Sequence, residues 1–226
     1  MSDLRCIFVT GTDTNVGKTL VSAALLHSLT QHHRRVVGMK PVAAGLEQHG
    51  GTWVSADAQA LRAASSVVVP PELDNPVALP EPLSPHLAAS LAGCRVTVAQ
   101  LHTAQQALAE RADVVVVEGS GGWRVPLNDC ETLADLAIML NAPVVLVVGL
   151  RLGCLNHALL TAEAIRADGL TLAGWVANCI DPAMDCIADN IATLEARLNA
   201  PLLAVLPWSD APDARQVQMT LPEAWR

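Results

Sequence analysis

The segment Gly11-Thr12-Asp13-Thr14-Asn15-Val16-Gly17-Lys18-Thr19 follows a short apolar run, residues 6–10 (CIFVT). It leads directly into residues 19–31 (TLVSAALLHSLTQ), whose apolar side chains recur at helical spacing. No other feature of the chain limits its fold as narrowly. A glycine turn between a strand and a helix aims successive backbone N–H groups at one point, where the helix dipole also favours negative charge. Gly17 lets the main chain approach an anion closely, Lys18 adds a cation, and the Thr19 hydroxyl is a hard oxygen suited to Mg²⁺. The pattern is that of a phosphate loop, G-x-x-x-x-G-K-[ST], except that five residues rather than four separate the two glycines. The loop is therefore expected to be a wider variant. Thr14, Asn15, Val16, Gly17 and Lys18, with Thr19 and Leu20 at the helix start, are its expected nucleotide contacts.

The same alternation continues downstream. Residues 35–39 (RVVGM), 113–118 (DVVVVE), 143–149 (PVVLVVG), 172–178 (LAGWVAN) and 202–206 (LLAVL) read as strands. Helical patterns cover 98–112, 131–140, 155–167 and 183–198, with a short one around 57–64. Strands this uniformly apolar, separated by helices, imply a mostly parallel central sheet with helices on both faces, joined by right-handed crossovers. The fold class is α/β, P-loop NTPase-like, in one domain spanning residues 1–226. Residues 41–85 are irregular, and the Pro-rich part of that stretch reads as an ordered excursion. Polar or glycine-rich punctuation ends each apolar run at its C-terminal side: Lys40, Glu118 to Gly122, Gly149 to Asn156, Asn178, and Pro207-Trp208. That edge is where open parallel sheets bind ligands.

Composition removes other classes. The 226 residues carry 22 acidic and 14 basic side chains, a formal net charge of −8, which argues against a general nucleic-acid binder. A polyphosphate ligand remains compatible, because local cations, main-chain amides and Mg²⁺ can hold it. No apolar run approaches the ~20 residues of a membrane span, and the start, MSDLRCIFVTGTD, has no signal-peptide core. The six cysteines form no C-x-x-C pair and read as buried, reduced thiols of a cytoplasmic protein. With 51% apolar residues, a homodimer is expected to cover surplus hydrophobic surface.

Three further residues are candidates for the chemistry. Glu118 closes the strand VVVVE, where phosphate-loop enzymes place an acid near the metal, with Gly119, Ser120 and Gly121 beside it. Read alone, it is also a charge facing water at a strand end. Asp57, in SADAQAL, reads either as a metal ligand or as an N-cap or surface acid. Lys40, just before Pro41, reads either as a cation for phosphoryl transfer or as a solvated strand-end charge.

Taken in order, GTDTNVGKT, MKPVAAG, VVEGSGGW, LVVGLRLGCLNHALLTAEAI, LAGWVAN and a late LPW resemble the dethiobiotin synthetase family over nearly the whole chain. The likeness is weakest at 65–83 and beyond about 210. It implies a homodimeric ligase that uses ATP, Mg²⁺ and CO₂ to close a cyclic urea on 7,8-diaminononanoate, through a carbamate and a carbamic–phosphoric anhydride. It further implies catalytic roles for Lys18 and Lys40, and metal ligation by Thr19, Asp57 and Glu118. Asn178 is implied to contact the base, with Pro207, Trp208 and Ser209 bordering the purine; from the residues alone, Trp208 reads also as a core aromatic. Gly153, Cys154, Leu155 and Asn156 are implied to hold the substrate's carboxylate tail across the dimer interface, and Ala44 to line the substrate site. The chain departs from the family at two positions. Many members carry an acid where Asn15 stands, and often a serine where Ala44 stands, so Ala44 lacks a hydroxyl that would contact substrate. Three alternatives stand beside this reading: a partitioning-type ATPase switch, a GTP-dependent switch, and a nucleotide-binding paralogue with altered substrate. The first lacks its early signature lysine here, and the second would need N-K-x-D where the chain has Asn178-Cys179-Ile180-Asp181.

Overall fold

The computed structural model describes residues 4–226; Met1–Asp3, the first residues of the start that reads as lacking a signal-peptide core, lie outside the described residues. The first half runs through β1 (Cys6–Gly11), α1 (Lys18–Leu29) and β2 (Val36–Met39). An excursion follows: β3 (Val42–Ala44), β4 (Glu47–His49), β5 (Thr52–Val54), α2 (Ala56–Ala64), α3 (Pro71–Asp74), β6 (Val77–Leu79) and α4 (Pro85–Leu91). The second half alternates α5 (Val98–Ala109), β7 (Val114–Glu118), α6 (Leu133–Leu140) and β8 (Val144–Leu150), then α7 (Cys154–Ala167), β9 (Leu172–Cys179), α8 (Ile187–Leu198) and β10 (Leu202–Leu206).

Six strands form one sheet in the order β10-β9-β8-β1-β7-β2, and every pairing in it is parallel. The apolar runs are explained by burial on both faces. Cys6 and Phe8 of β1, Val115 and Val117 of β7, and Leu146 and Val148 of β8 join the core beneath α5, α6, α7 and α8. Their neighbours Ile7, Val9, Val114, Val116, Val145 and Val147 join the opposite core beneath α1 and α2. The C-terminal segment also covers that second face: Leu221 and Trp225 are buried, and the Thr220 N–H donates to the Leu203 carbonyl at 2.8 Å. Strand β1 lies between β7 and β8, while the chain goes from β1 to β2 beyond β7. The strand order therefore changes direction at β1, and the crevice opens at the C-terminal end of the strand that carries the phosphate loop.

Several expectations are corrected. Residues 41–85, whose Pro-rich part is an ordered excursion as expected, are not irregular throughout: they hold the parallel pair β3–β6 and the antiparallel hairpin β4–β5. The helix expected over 183–198 starts only at Ile187, because Asp181 Oδ1 accepts from Ala183 N in a local turn and Cys186, at φ 55, caps the helix in the left-handed region. The helix expected over 98–112 ends at Ala109. None of the six cysteines is in a disulfide, as expected, yet only Cys6 and Cys154 are buried, while Cys94, Cys130 and Cys186 are exposed. Burial pushes the Cys6 thiol up to about 12 and keeps it protonated. Among the described residues no helix is long and apolar enough to cross a membrane.

Candidate active site

The phosphate loop is tied to the sheet on both sides. The Thr12 N–H donates to the Val147 carbonyl of β8 at 3.0 Å. From the end of β9, the buried Asn178 donates its amide N–H to the Val16 carbonyl at 2.9 Å. Gly17 takes φ 91, and a Cβ there would lie 2.1 Å from Asn178 Nδ2, so both its backbone angle and its surroundings require glycine. Asn15 stands at φ 59, in the left-handed region that asparagine adopts more readily than most residues. The departure from the family at this position thus suits the local backbone. Val16 is wholly buried, with its carbonyl taken by Asn178, and it does not line the cleft beside the loop.

Two lysines and two carboxylates converge at the crevice. Lys18, from the start of α1, is buried and donates to the Asp13 carbonyl at 2.9 Å. Burial, reinforced by the Lys40 charge, pushes its pKa down to about 8. Lys40 is only 3% exposed, which excludes a solvated strand-end charge. Its ammonium lies 2.6 Å from both Glu118 Oε1 and Asp57 Oδ2. Burial works against the charged lysine, but the two carboxylates outweigh it and raise its pKa. Burial likewise works against the Asp57 carboxylate, and Lys40 reverses the balance, lowering its pKa. The helix α2 is capped by Ser55, whose hydroxyl accepts from Ala58 N at 3.2 Å. Asp57 is therefore no N-cap but a first-turn residue aimed at Lys40.

Thr19 Oγ1 sits 2.9 Å from both Asp57 Oδ1 and Glu118 Oε1. Glu118 is fully buried, so it does not face water, and its Oε2 has no hydrogen-bond partner. A hydroxyl, a half-exposed carboxylate and a buried carboxylate with a free oxygen form a hard-oxygen set of the kind Mg²⁺ prefers. Among the described residues no group of three or more His, Cys, Asp or Glu side chains gathers. A cation held here would complete its shell with phosphate oxygens and water.

These groups line a cleft of about 990 Å³. It brings together Thr14, Asn15, Gly17, Lys18, Thr19, Lys40, Ala44, Asp57, Glu118, Ser120 and Gly121 of the expected residues. Gly119 joins them through its carbonyl, 3.4 Å from Lys40 Nζ, and Ser120 Oγ donates to the Val42 carbonyl at 2.6 Å. Val16, Leu20 and Asn178 of the expected contacts do not line it, nor do the segment 153–156, at the start of α7, and Pro207, Trp208 and Ser209, after β10. Trp208 is 46% exposed, so it is no core aromatic. The sequence reading missed Pro82, Leu83 and Leu87, which form an apolar wall of the cleft, and the ion pair between Arg151 and Asp13 across the phosphate loop. The wall's only signal was its place in the Pro-rich excursion.

A family model described as an AAA domain matches residues 5–216. The ATP-dependent dethiobiotin synthetase BioD of Aromatoleum aromaticum is 52% identical over 223 residues, which is 98% of either chain. The chain belongs to the dethiobiotin synthetase family. Membership makes it an ATP-dependent ligase, an enzyme rather than a switch. Solved structures add the fold. The signal recognition particle receptor FtsY of Elizabethkingia anophelis, in complex with GDP, matches with a TM-score of 0.52 at 15% identity, over 100% of this chain and 63% of its own. Chloroplast FtsY of Physcomitrella patens matches with 0.54 at 17% identity, over 100% and 64%. This dethiobiotin synthetase family member thus spans less than two thirds of those receptors, and at such identity they speak for the P-loop architecture alone.

Proposed function

We propose that the chain closes the cyclic urea of dethiobiotin from 7,8-diaminononanoate and CO₂, in biotin biosynthesis, with ATP as co-substrate and Mg²⁺ as cofactor. The observation that carries this reading is the convergence of Lys18, Lys40, Thr19, Asp57 and Glu118 at the phosphate-loop end of one cleft.

In the first step a substrate amine forms a bond to the carbon of CO₂ and loses a proton, giving a carbamate. A carbamate oxygen then attacks the γ-phosphorus as the bond to ADP breaks, giving a carbamic–phosphoric anhydride. The second amine attacks the carbonyl carbon and loses a proton, the bond from that carbon to the phosphate oxygen breaks, and the ring closes with release of phosphate. Such transfers depend on positioning and cations. Lys18 moves from the Asp13 carbonyl to the β- and γ-phosphates, which also receive the amide N–H groups of residues 14–19. Lys40 balances the carbamate and the transferring phosphoryl group. Thr19, Asp57 and Glu118 would hold Mg²⁺, which would supply positive charge against the phosphates.

The same reading assigns the surroundings. Leu83, Leu87 and Pro82 face the methylene chain of the diamine, next to Ala44. Asn178, held by Val16, keeps its carbonyl oxygen for the exocyclic amine of adenine, and the exposed Trp208, with Pro207 and Ser209, borders the purine. Gly153 caps α7 and Cys154, Leu155 and Asn156 begin it; the Cys154 N–H is taken by the Arg151 carbonyl at 3.0 Å, and the helix N-terminus at Leu155 and Asn156 suits a carboxylate tail from a second copy. Leu152 is 97% and Leu160 57% exposed beside them, apolar surface that a homodimer would cover. The net charge of −8 and the unpaired cysteines favour a cytoplasmic enzyme without nucleic-acid or membrane partners.

The test is direct. The chain, incubated with 7,8-diaminononanoate, Mg²⁺, bicarbonate and ATP, yields the cyclic urea by mass spectrometry, with one phosphate per ring. Phosphate release that needs no diamine, with no urea formed, contradicts the assignment.

A further inference from the structure

We propose that Asn75 and the Arg62–Asp74 ion pair are positioning residues for Lys40, fixing the main chain from which its ammonium reaches the reacting groups. The proposal rests on the reading of Lys40 as the catalytic lysine.

Lys40 stands just beyond the last sheet pair of β2, Met39 with Val117, and just before Pro41, which has no N–H to donate. Its own peptide groups therefore have no ladder partners and would be left orphaned in a buried place. Two consecutive residues supply partners instead. The Lys40 N–H donates to the Asp74 carbonyl at 2.7 Å. The Lys40 carbonyl accepts from Asn75 Nδ2 at 2.8 Å, and the same amide group reaches the Val77 carbonyl at 3.3 Å. With both amide hydrogens on carbonyls, the Asn75 side chain has one orientation.

The bracket is itself anchored. The Asp74 side chain is buried and receives the Arg62 guanidinium as a fork, Nε to Oδ2 at 2.7 Å and Nη2 to Oδ1 at 2.5 Å. Arg62 lies on α2, the helix whose first turn carries Asp57, 2.6 Å from the Lys40 ammonium. One helix thus meets Lys40 twice: at the tip of its side chain through Asp57, and at its backbone through Arg62 and Asp74. The two carboxylates hold the ammonium itself, and because a lysine has a flexible four-carbon stem, a fixed Cα narrows the set of stem conformations from which it reaches them. A displacement of about 1 Å at a reacting centre is enough to cost about a hundredfold in rate.

The full chain carries the test. Asn75→Ala lowers kcat about tenfold, between the loss of one hydrogen bond and a full misplacement. The affinity for a non-hydrolysable ATP analogue stays within about twofold, since the phosphate loop is untouched. Asn75→Asp, of like size but unable to donate, behaves the same and is the variant to measure if the alanine chain does not fold. Arg62→Ala also lowers kcat, and Arg62→Lys recovers part of it. Lys40→Gln is assayed alongside. If Lys40→Gln loses its rate while both Asn75 variants keep wild-type kcat, or lose only thermal stability, the positioning role is overturned and the role of Lys40 stands. If Lys40→Gln turns over at the wild-type rate, the reading of the lysine falls, and the proposal with it.

Discussion

Replacing Gly17 by alanine tests how the phosphate loop is built. The residue sits at φ 91, where an L side chain costs about 1–2 kcal/mol. A Cβ would also meet Asn178 Nδ2 at 2.1 Å, far inside contact distance, so the amide must move. Moving it breaks the 2.9 Å bond to the Val16 carbonyl between two buried groups, which costs about 1–3 kcal/mol. Together the penalty is about 2–5 kcal/mol, or about 4–20 °C of melting temperature for a domain of this size. The loop that receives the triphosphate is displaced at the same time, so ATP affinity falls about thirtyfold or more, equivalent to about 2 kcal/mol. Thermal melts and calorimetric titration with ATP and Mg²⁺ measure both. The double variant Gly17→Ala with Asn178→Ala separates the causes: removing the amide relieves the clash, so the two losses sum to less than their separate values. Strict additivity, or a Gly17→Ala chain that melts and binds ATP as the wild type does, refutes the reasoning.

Three other outcomes follow from the site. Lys18 has a folded-state pKa near 8, below its ordinary value of 10.5, so between those values the unfolded chain holds the extra proton. Its destabilising effect is present below about pH 8 and is relieved as pH rises towards 10.5; the wild-type stability curve should therefore rise through that window relative to Lys18→Met, and parallel curves would count against it. Ala44→Ser restores a hydroxyl to the cleft and should lower the KM for the diamine by about two- to tenfold, worth about 0.5–1.5 kcal/mol; an unchanged KM removes the position from substrate contact. Glu118→Gln should weaken Mn²⁺ binding in the presence of ATP by about tenfold or more, read by electron paramagnetic resonance, while wild-type affinity would exclude Glu118 from the metal shell.

The parts legible in the sequence are those whose cause is local. Four consecutive valines before Glu118 mean a strand buried on both faces, and Gly17-Lys18-Thr19 after CIFVT announces the strand, turn and helix that the structure contains. What escaped depends on contacts between distant residues. Asn178 and Val16 are 162 positions apart, and Lys40 and Glu118 are 78 apart. No periodicity pairs them, and only folding shows that one asparagine clamps the phosphate loop. The excursion looked irregular because its strands are three residues long, too short for an alternation to show. Asn75 and Asp74 read as turn residues; their hold on Lys40 follows from tertiary geometry. The late start of α8 was hidden because residues 183–186 carry no strong breaker, and the left-handed Cys186 is set by the local turn.

A crystal structure with a non-hydrolysable ATP analogue and Mg²⁺ tests the central claim most directly. The account predicts the β- and γ-phosphates against the N–H groups of residues 14–19, the Lys18 ammonium moved from the Asp13 carbonyl onto phosphate oxygens, and the metal bound between Thr19, Asp57 and Glu118. A nucleotide bound elsewhere, with the turn between β1 and α1 left empty and Lys18 still on Asp13, would contradict it.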